Sequence, residues 1–179
     1  LRGCPQELSN CIDSAEREYL PRGITETLAA LDFIDSGLNV CILGPSDSGK
    51  SYLAKALGIV ACNNYKVEYH HCETLLETLV ALKAQDYSKY QKRLKKICGA
   101  ALLILDDFLL HTITDEREVK VLFEILEKRC EINLSTIICS QREPASWSSM
   151  ILNDEVSANA ILKRATKHYT VVIKPNITD

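Results

Sequence analysis

Residues 44–51 read Gly-Pro-Ser-Asp-Ser-Gly-Lys-Ser, and Gly44, Gly49, Lys50 and Ser51 fill the four fixed positions of the spacing G-x-x-x-x-G-K-[ST]. A loop of this kind turns backbone N–H groups inward, forming an anion nest backed by the positive end of the helix that follows. The chemistry is phosphate binding. Lys50 is expected to reach the β- and γ-phosphates of a nucleotide, and the Ser51 hydroxyl to help hold Mg²⁺. Asp47 puts a negative charge into this loop. It removes no required group, and Asp tolerates a left-handed backbone better than most residues. Its side chain is expected to face solvent while its N–H faces phosphate, costing on the order of 1 kcal/mol or less of affinity. Nucleotide contacts are expected along Gly44, Pro45, Ser46, Asp47, Ser48, Gly49, Lys50, Ser51 and Tyr52.

A second feature points the same way. Leu102-Leu103-Ile104-Leu105-Asp106-Asp107 is an apolar run delivering two carboxylates to its end. Ligands of parallel sheets bind beyond the carboxyl ends of the strands, so these acids are expected to face the phosphate loop. One carboxylate, Asp106, can hold the water shell of Mg²⁺, and the next, Asp107, can orient a water for attack on the γ-phosphate. The run Ser135–Cys139 ends in Ser140-Gln141, either of which could sense the γ-phosphate or the attacking water. A plain strand-end turn explains both residues as well.

Elements must position these groups, and the patterning supplies them. Asn39–Leu43 is a short apolar run that ends in the loop, and Lys50 opens a helix with Leu53, Ala56, Leu57, Val60 and Ala61 on one face. Thr25 is expected to cap a helix through Asp35, ended by Gly37. Strand signals at Lys66–Tyr69, Ala101–Leu105, Ser135–Cys139 and Tyr169–Ile173 alternate with helix signals at Glu73–Ala84, Asp115–Cys130 and Glu155–Thr166. The Asp115 helix carries Val119, Leu122, Phe123 and Leu126 on its apolar stripe. This alternation predicts an α/β fold with a parallel sheet covered on both faces. Residues 1–24, with a helix expected over Ser9–Tyr19, read as an arm or linker, and residues 25–179 as one domain. Leu1 in place of an initiating Met is expected of a fragment of a longer protein.

Composition narrows the classes. The 179 residues are 46% hydrophobic and 25% charged, ordinary values for a globular protein. No apolar run approaches the roughly 20 residues that span a bilayer, and no signal-peptide pattern is visible. The eight cysteines contain no C-x-x-C pair, and several sit in apolar patterns, which predicts buried thiols in a reducing cytoplasm. His70-His71-Cys72 is the one tempting metal-ligand cluster, but neighbouring strand residues point to opposite faces. Net charge is −3, yet Lys89, Lys92, Arg93, Lys95 and Lys96 form a stretch with no acid between them. Such a run reads either as a solvated helix face or as a track for phosphates.

Taken in order, "NVCILGPSDSGKSYLAKALG", "LLILDDF", "LFEILEKR", "TIICSQ" followed by Trp147, and "ANAILKR" resemble the AAA+ ATPases of the helicase-loader and transposition-helper group, the DnaC/IstB-like family. The resemblance runs from about Leu31 to Ile173 and favours the IstB branch, helpers of IS21-type transposases. It implies a P-loop NTPase with a five-stranded parallel sheet in the order 5-1-4-3-2 and no C-terminal helical lid. It also implies ATP-dependent assembly into rings or filaments on DNA. By the same resemblance Lys50 and Ser51 bind phosphate and Mg²⁺, Asp106 supports the metal, Asp107 positions water, and Ser140 or Gln141 is the sensor. Arg164 matches the arginine finger that reaches into a neighbouring subunit's ATP, and Arg129 is a second candidate for the subunit boundary. The chain departs from the family at Asp47, where glycine is usual, and at Lys163 beside the finger.

The expected function is that of an ATP-hydrolysing helper that oligomerises on DNA, without sequence preference, to support a transposase. A replicative helicase loader is the near alternative. A small-molecule kinase and a nucleotide-binding scaffold that never turns over are alternatives of other classes. Hydrolysis that rises with DNA and leaves no phosphorylated small product separates the first reading from the kinase.

Overall fold

The computed structural model describes residues 23–151, 158–159, 162–163 and 169–173. Three apolar runs too short for helices form strands buried along their whole length: β1 (Val40–Leu43), β3 (Leu102–Asp106) and β4 (Ser135–Ser140). Continuous burial is what coverage on both faces produces. The half-buried β2 (Val67–His71) and the mostly exposed β5 (Tyr169–Val172) form the two edges. All neighbours pair in parallel, in the order β2-β3-β4-β1-β5, which is the expected 5-1-4-3-2 viewed from the other edge.

Side-chain alternation along the strands splits the core into two layers. Cys41, Leu43, Leu103, Leu105 and Ile138 pack in one layer. It is closed by α4 (Cys72–Gln85), α5 (Tyr87–Cys98) and α6 (Glu116–Glu131). Val40, Ile42, Leu102, Ile104, Ile137 and Cys139 point the other way, onto α1 (Ile24–Ala29), α2 (Asp32–Asp35) and α3 (Lys50–Ala61). A short helix, α7 (Pro144–Trp147), follows β4 and buries Trp147 edge-on against Phe108, 4.8 Å between ring centres. The Cys41 and Cys72 thiols are buried, and burial pushes both up to about 12, while Cys62 is exposed.

Three expectations are corrected. The single helix from Thr25 to Asp35 is two short ones, broken where buried Leu31 takes a left-handed φ of 63°. The break lets Leu28, Phe33 and Ile34 all enter the same core layer, and Gly23, not Thr25, occupies the cap position. The buried stripe of α6 is carried by Val119, Leu122 and Leu126 with Val121 and Ile125, leaving Phe123 only partly buried. Arg129, expected at a subunit boundary, is 1% exposed. Its guanidinium donates to the carbonyls of Ile97 (3.2 Å), Cys98 (3.0 Å), Ala100 (2.7 Å) and Ser135, and to the Thr136 hydroxyl at 3.0 Å. It braces the end of α5 against the starts of β3 and β4. Burial lowers its pKa to about 10, which still leaves it charged at neutral pH.

The basic stretch is the helix α5. Asp86 caps it by accepting from the Lys89 N–H at 2.9 Å, and Tyr90, Leu94, Ile97 and Cys98 form its buried face. The helix expected at Glu155–Thr166 is described only at residues 158–159 and 162–163, which are helical. Arg164, the Ser9–Tyr19 helix and the arm lie outside the described residues, apart from the last two positions of the arm, Gly23 and Ile24.

Candidate functional site

The parallel sheet brings the Gly-rich loop after β1 and the acids after β3 to the same edge, with β4 between them. Gly44 is required by packing: a Cβ there would lie 2.6 Å from the Ile173 carbonyl oxygen that follows β5. Gly49 is required by its backbone, with a φ of 91° at the start of α3. Asp47 adopts the expected left-handed conformation, φ 58°, with its side chain exposed. Lys50 is 6% exposed. Its ammonium donates to the Pro45 carbonyl and lies 3.4 Å from the Ser48 hydroxyl, which itself donates to Pro45 at 2.8 Å. Burial lowers the Lys50 pKa, and the carboxylates of Asp107, Asp106 and Asp47 oppose that shift.

Asp106 is fully buried at the end of β3. Its Oδ1 accepts from the Ser51 hydroxyl at 2.9 Å and from the Asp107 N–H at 3.0 Å. Loop and acid strand are thereby joined through the two residues expected at the metal. Both offer hard oxygen donors, the type Mg²⁺ prefers, so the residues present fit that ion. Asp107 turns left-handed, φ 52°, which carries its side chain out of the sheet to a half-exposed position.

Two residues at this site were missed by sequence reasoning. The Tyr69 hydroxyl donates to Asp106 Oδ2, and His71 Nδ1 lies 3.1 Å from Asp107 Oδ2. Both come from β2, where His71 pairs with Asp106 in register. The histidines serve different partners: His70 Nε2 is 2.9 Å from Glu68. Among the described residues no group of three His, Cys, Asp or Glu side chains could hold a metal ion.

The strand-end pair Ser140 and Gln141 separates. The Ser140 hydroxyl is fully buried, donating to the Phe108 carbonyl at 2.8 Å and accepting from the Arg142 N–H at 3.1 Å. These two bonds tie it to the turn after the acids, and the Ser140 carbonyl accepts from the Gly44 N–H of the loop at 3.3 Å. Gln141 is exposed and, with Gly44 and Pro45, lines an open cleft of about 630 Å³ beside the phosphate loop. Tyr52, 48% exposed, follows Ser51 on the first turn of α3.

A family described as IstB-like ATP-binding protein matches residues 7–176. The chain belongs to this family. Named relatives are consistent with the membership. This IstB-like chain is 40% identical over 161 residues to a Sinorhizobium fredii protein named as an insertion sequence ATP-binding protein, y4uH, covering 89% of this chain and 62% of the relative. It is 32% identical over 154 residues to a Pseudomonas aeruginosa protein named as an ATP-binding protein of insertion sequence IS21, covering 86% of this chain and 56% of that one. The IstB-like chain therefore spans less than two thirds of these curated relatives. Among solved structures it superposes on the DnaC helicase loader (TM-score 0.66, 21% identity, 94% of this chain and 99% of that one). It also superposes on DnaI (TM-score 0.70, 21% identity, 96% and 94%). The replication initiator DnaA bound to AMPPCP and single-stranded DNA matches at TM-score 0.71 and 19% identity, over 97% of this chain and 51% of that one. These likenesses show that the α/β fold, with its five-stranded parallel sheet, is shared with those proteins.

Proposed function

We propose that this IstB-like protein hydrolyses ATP with Mg²⁺ and, assembled with further copies on DNA, acts as the helper of a transposase. The observation that carries the reading is the 2.9 Å hydrogen bond from Ser51 to Asp106, which couples the phosphate loop to the acid pair across the sheet. Lys50 neutralises the β- and γ-phosphates, and the nest of N–H groups from Gly44 to Ser51 holds the polyphosphate. Ser51 and Asp106 hold Mg²⁺, which when bound screens the charge of the transferred phosphoryl group. Asp107, held by His71, orients the attacking water, with Gln141 at the rim of the cleft as the sensor. Arg164, supplied to a neighbouring copy, makes turnover depend on assembly. The insertion-sequence names of the relatives favour a transposase over a helicase as client.

The DNA contact assigned to α5 is narrower than the run of basic residues suggests. Lys89 pairs with Asp86, while Arg93 and Lys96 both reach Glu68. Lys92 and Lys95 have no ion-pair partner among the described residues and lie together on the remaining face of the helix. Each phosphate neutralised contributes a slope of about −0.9 to log affinity against log salt. Two lysines therefore give about −2 per engaged subunit, not the steeper dependence of all five.

The test is ATP binding and phosphate release, with and without duplex DNA, in the native chain, Lys50→Ala and Arg164→Ala. Native turnover should need Mg²⁺ and rise with DNA. Lys50→Ala should lose nucleotide binding; Arg164→Ala should keep binding and lose turnover. Undiminished turnover in Arg164→Ala removes the finger assignment, and a Lys50→Ala protein that binds ATP as well as native overturns the nucleotide site.

A further inference from the structure

Asp106 has more partners than a carboxylate supporting a metal needs. A carboxylate offers about four acceptor positions. The Ser51 hydroxyl and the Asp107 N–H take two on Oδ1, and the Tyr69 hydroxyl takes one on Oδ2. One acceptor position is left, on an oxygen already held in place. Because Ser51 gives its proton to Asp106, both lone pairs of the Ser51 oxygen remain available to a cation.

Tyr69 is itself fixed. It stands beside Ile104 in the parallel register of β2 and β3, two residues before the level of Asp106. The Lys55 ammonium of α3 lies 5.0 Å from its ring centre, and the His71 ring meets it edge-on at 5.6 Å. A phenol is protonated at neutral pH, and a carboxylate oxygen can only accept, so Tyr69 acts on Asp106 as a donor.

We propose that Tyr69 is a positioning residue for the divalent-metal site, its hydroxyl locking Asp106 so that this carboxylate and Ser51 present one prearranged oxygen pair to the Mg²⁺ that accompanies ATP. This rests on the nucleotide reading above and adds to it a residue from a strand that carries no part of the phosphate loop or the acid pair. Without the phenol, Oδ2 is a buried anionic oxygen lacking its donor, and the cost of such a group drives the side chain to turn toward another. Ser51 turns with it, and the oxygen pair is lost. Removing groups that orient metal ligands typically costs ten- to a hundredfold in metal affinity.

The experiment measures the dissociation constant of a fluorescent ATP analogue with saturating Mg²⁺ and with EDTA, in the native chain and in Tyr69→Phe, which keeps the ring over Lys55. The ratio of the two constants isolates the metal's contribution. Tyr69→Phe should reduce that ratio about tenfold while leaving the EDTA value within twofold of native. In an Asp106→Asn background the same substitution should change the ratio by less than twofold, because the hydroxyl acts only through that carboxylate. An unchanged ratio in folded Tyr69→Phe overturns the proposal. So does an equal loss with and without Mg²⁺, which is the signature of a merely structural ring. Should Tyr69→Phe not fold, 4-fluorophenylalanine at position 69 fills the volume of the phenol without a donor, and an unmoved ratio there overturns the proposal equally. A native chain with no Mg²⁺ enhancement at all brings down the nucleotide reading itself, whereas a normal native ratio with an unmoved variant brings down the Tyr69 role alone.

Discussion

The two ends of β3 each hold a fully buried charge, Arg129 against the entry at Ala100 and Asp106 at the exit, and they are built in opposite ways. The guanidinium donates through Nε and both terminal nitrogens to four carbonyls and a hydroxyl, with no carboxylate among these partners. Every partner belongs to α5, to β4 or to the turn leading into β3, so the charge serves the fold. Asp106 is as deeply buried, yet it keeps an acceptor position, and one of its partners, Ser51, belongs to a loop shaped for phosphate. Burial of a charge does not distinguish structure from function here. The partners do: one of those of Asp106 belongs to the phosphate loop, and none of those of Arg129 does.

The sharpest way to break that comparison is to remove both charges. Arg129→Met leaves four buried carbonyls without their donor and should cost about 3–5 kcal/mol, seen as a fall in melting temperature of roughly 10 °C. Nucleotide binding by the protein that remains folded should be unchanged. Asp106→Asn keeps the shape and one accepting oxygen, so its cost should be nearer 1–2 kcal/mol, while the Mg²⁺ enhancement of ATP binding should vanish. Denaturant unfolding and nucleotide titration on both variants check this. If Arg129→Met proves the milder in stability, the guanidinium is not a brace and the contrast fails.

Between these extremes lie Glu68 and Glu124, half-buried carboxylates tied to cations. Burial alone would raise Glu68, but hydrogen bonds from Lys96 and His70 outweigh it and leave its pKa below the usual 4.5. Glu124, bound by Lys128 at 2.7 Å and by the Tyr90 hydroxyl at 2.7 Å, is lowered in the same manner. The sign follows: below the ordinary carboxylate value the unfolded chain binds protons that the folded one refuses, so stability rises with pH there. The contribution is complete above about pH 4.5 and lost as pH falls through the lower folded-state values. Glu68→Gln and Glu124→Gln should each flatten this acid limb in pH-dependent unfolding, and Glu124→Gln should leave the shape of the curve above pH 6 unaltered. An acid limb as steep in both variants as in the native chain would show that neither pair links to folding.

What could be read from the sequence was what is local. The loop, the acid-tipped strand and the short apolar runs of β1, β3 and β4 each lie within a few residues, and an unbroken apolar run follows directly from burial on both faces. The contacts of Tyr69 and His71 needed the register between β2 and β3, a long-range fact. Still, a signal was present: once β2 neighbours β3, residues two apart on β2 share a face and end level with Asp106. Arg129 also left a trace, three residues beyond Leu126 on the buried stripe of α6, where a cation reads as exposed by type and buried by spacing. The break at Leu31 left none. Its left-handed backbone is set by the packing of Leu28, Phe33 and Ile34, not by the residue's own preference.

The smallest expected effect concerns the charge that comparison with Asp106 leaves furthest from the core. Asp47 is exposed, and its left-handed φ of 58° is one that glycine adopts freely, so Asp47→Gly relieves local strain while adding freedom to the unfolded chain. These oppose each other, and stability should shift by less than about 0.5 kcal/mol. Affinity for Mg²⁺-ATP should rise, because a negative charge leaves the rim of the nest, but by no more than about fivefold for a solvated group. That gain should shrink between low and high salt, since ions screen exposed charges far better than buried ones. Nucleotide titrations of the native chain and Asp47→Gly at two ionic strengths decide it. A salt-independent gain beyond tenfold would mean that the Asp47 carboxylate turns into the nest when phosphate approaches, making it a second buried acid competing with the nucleotide instead of a bystander at the rim.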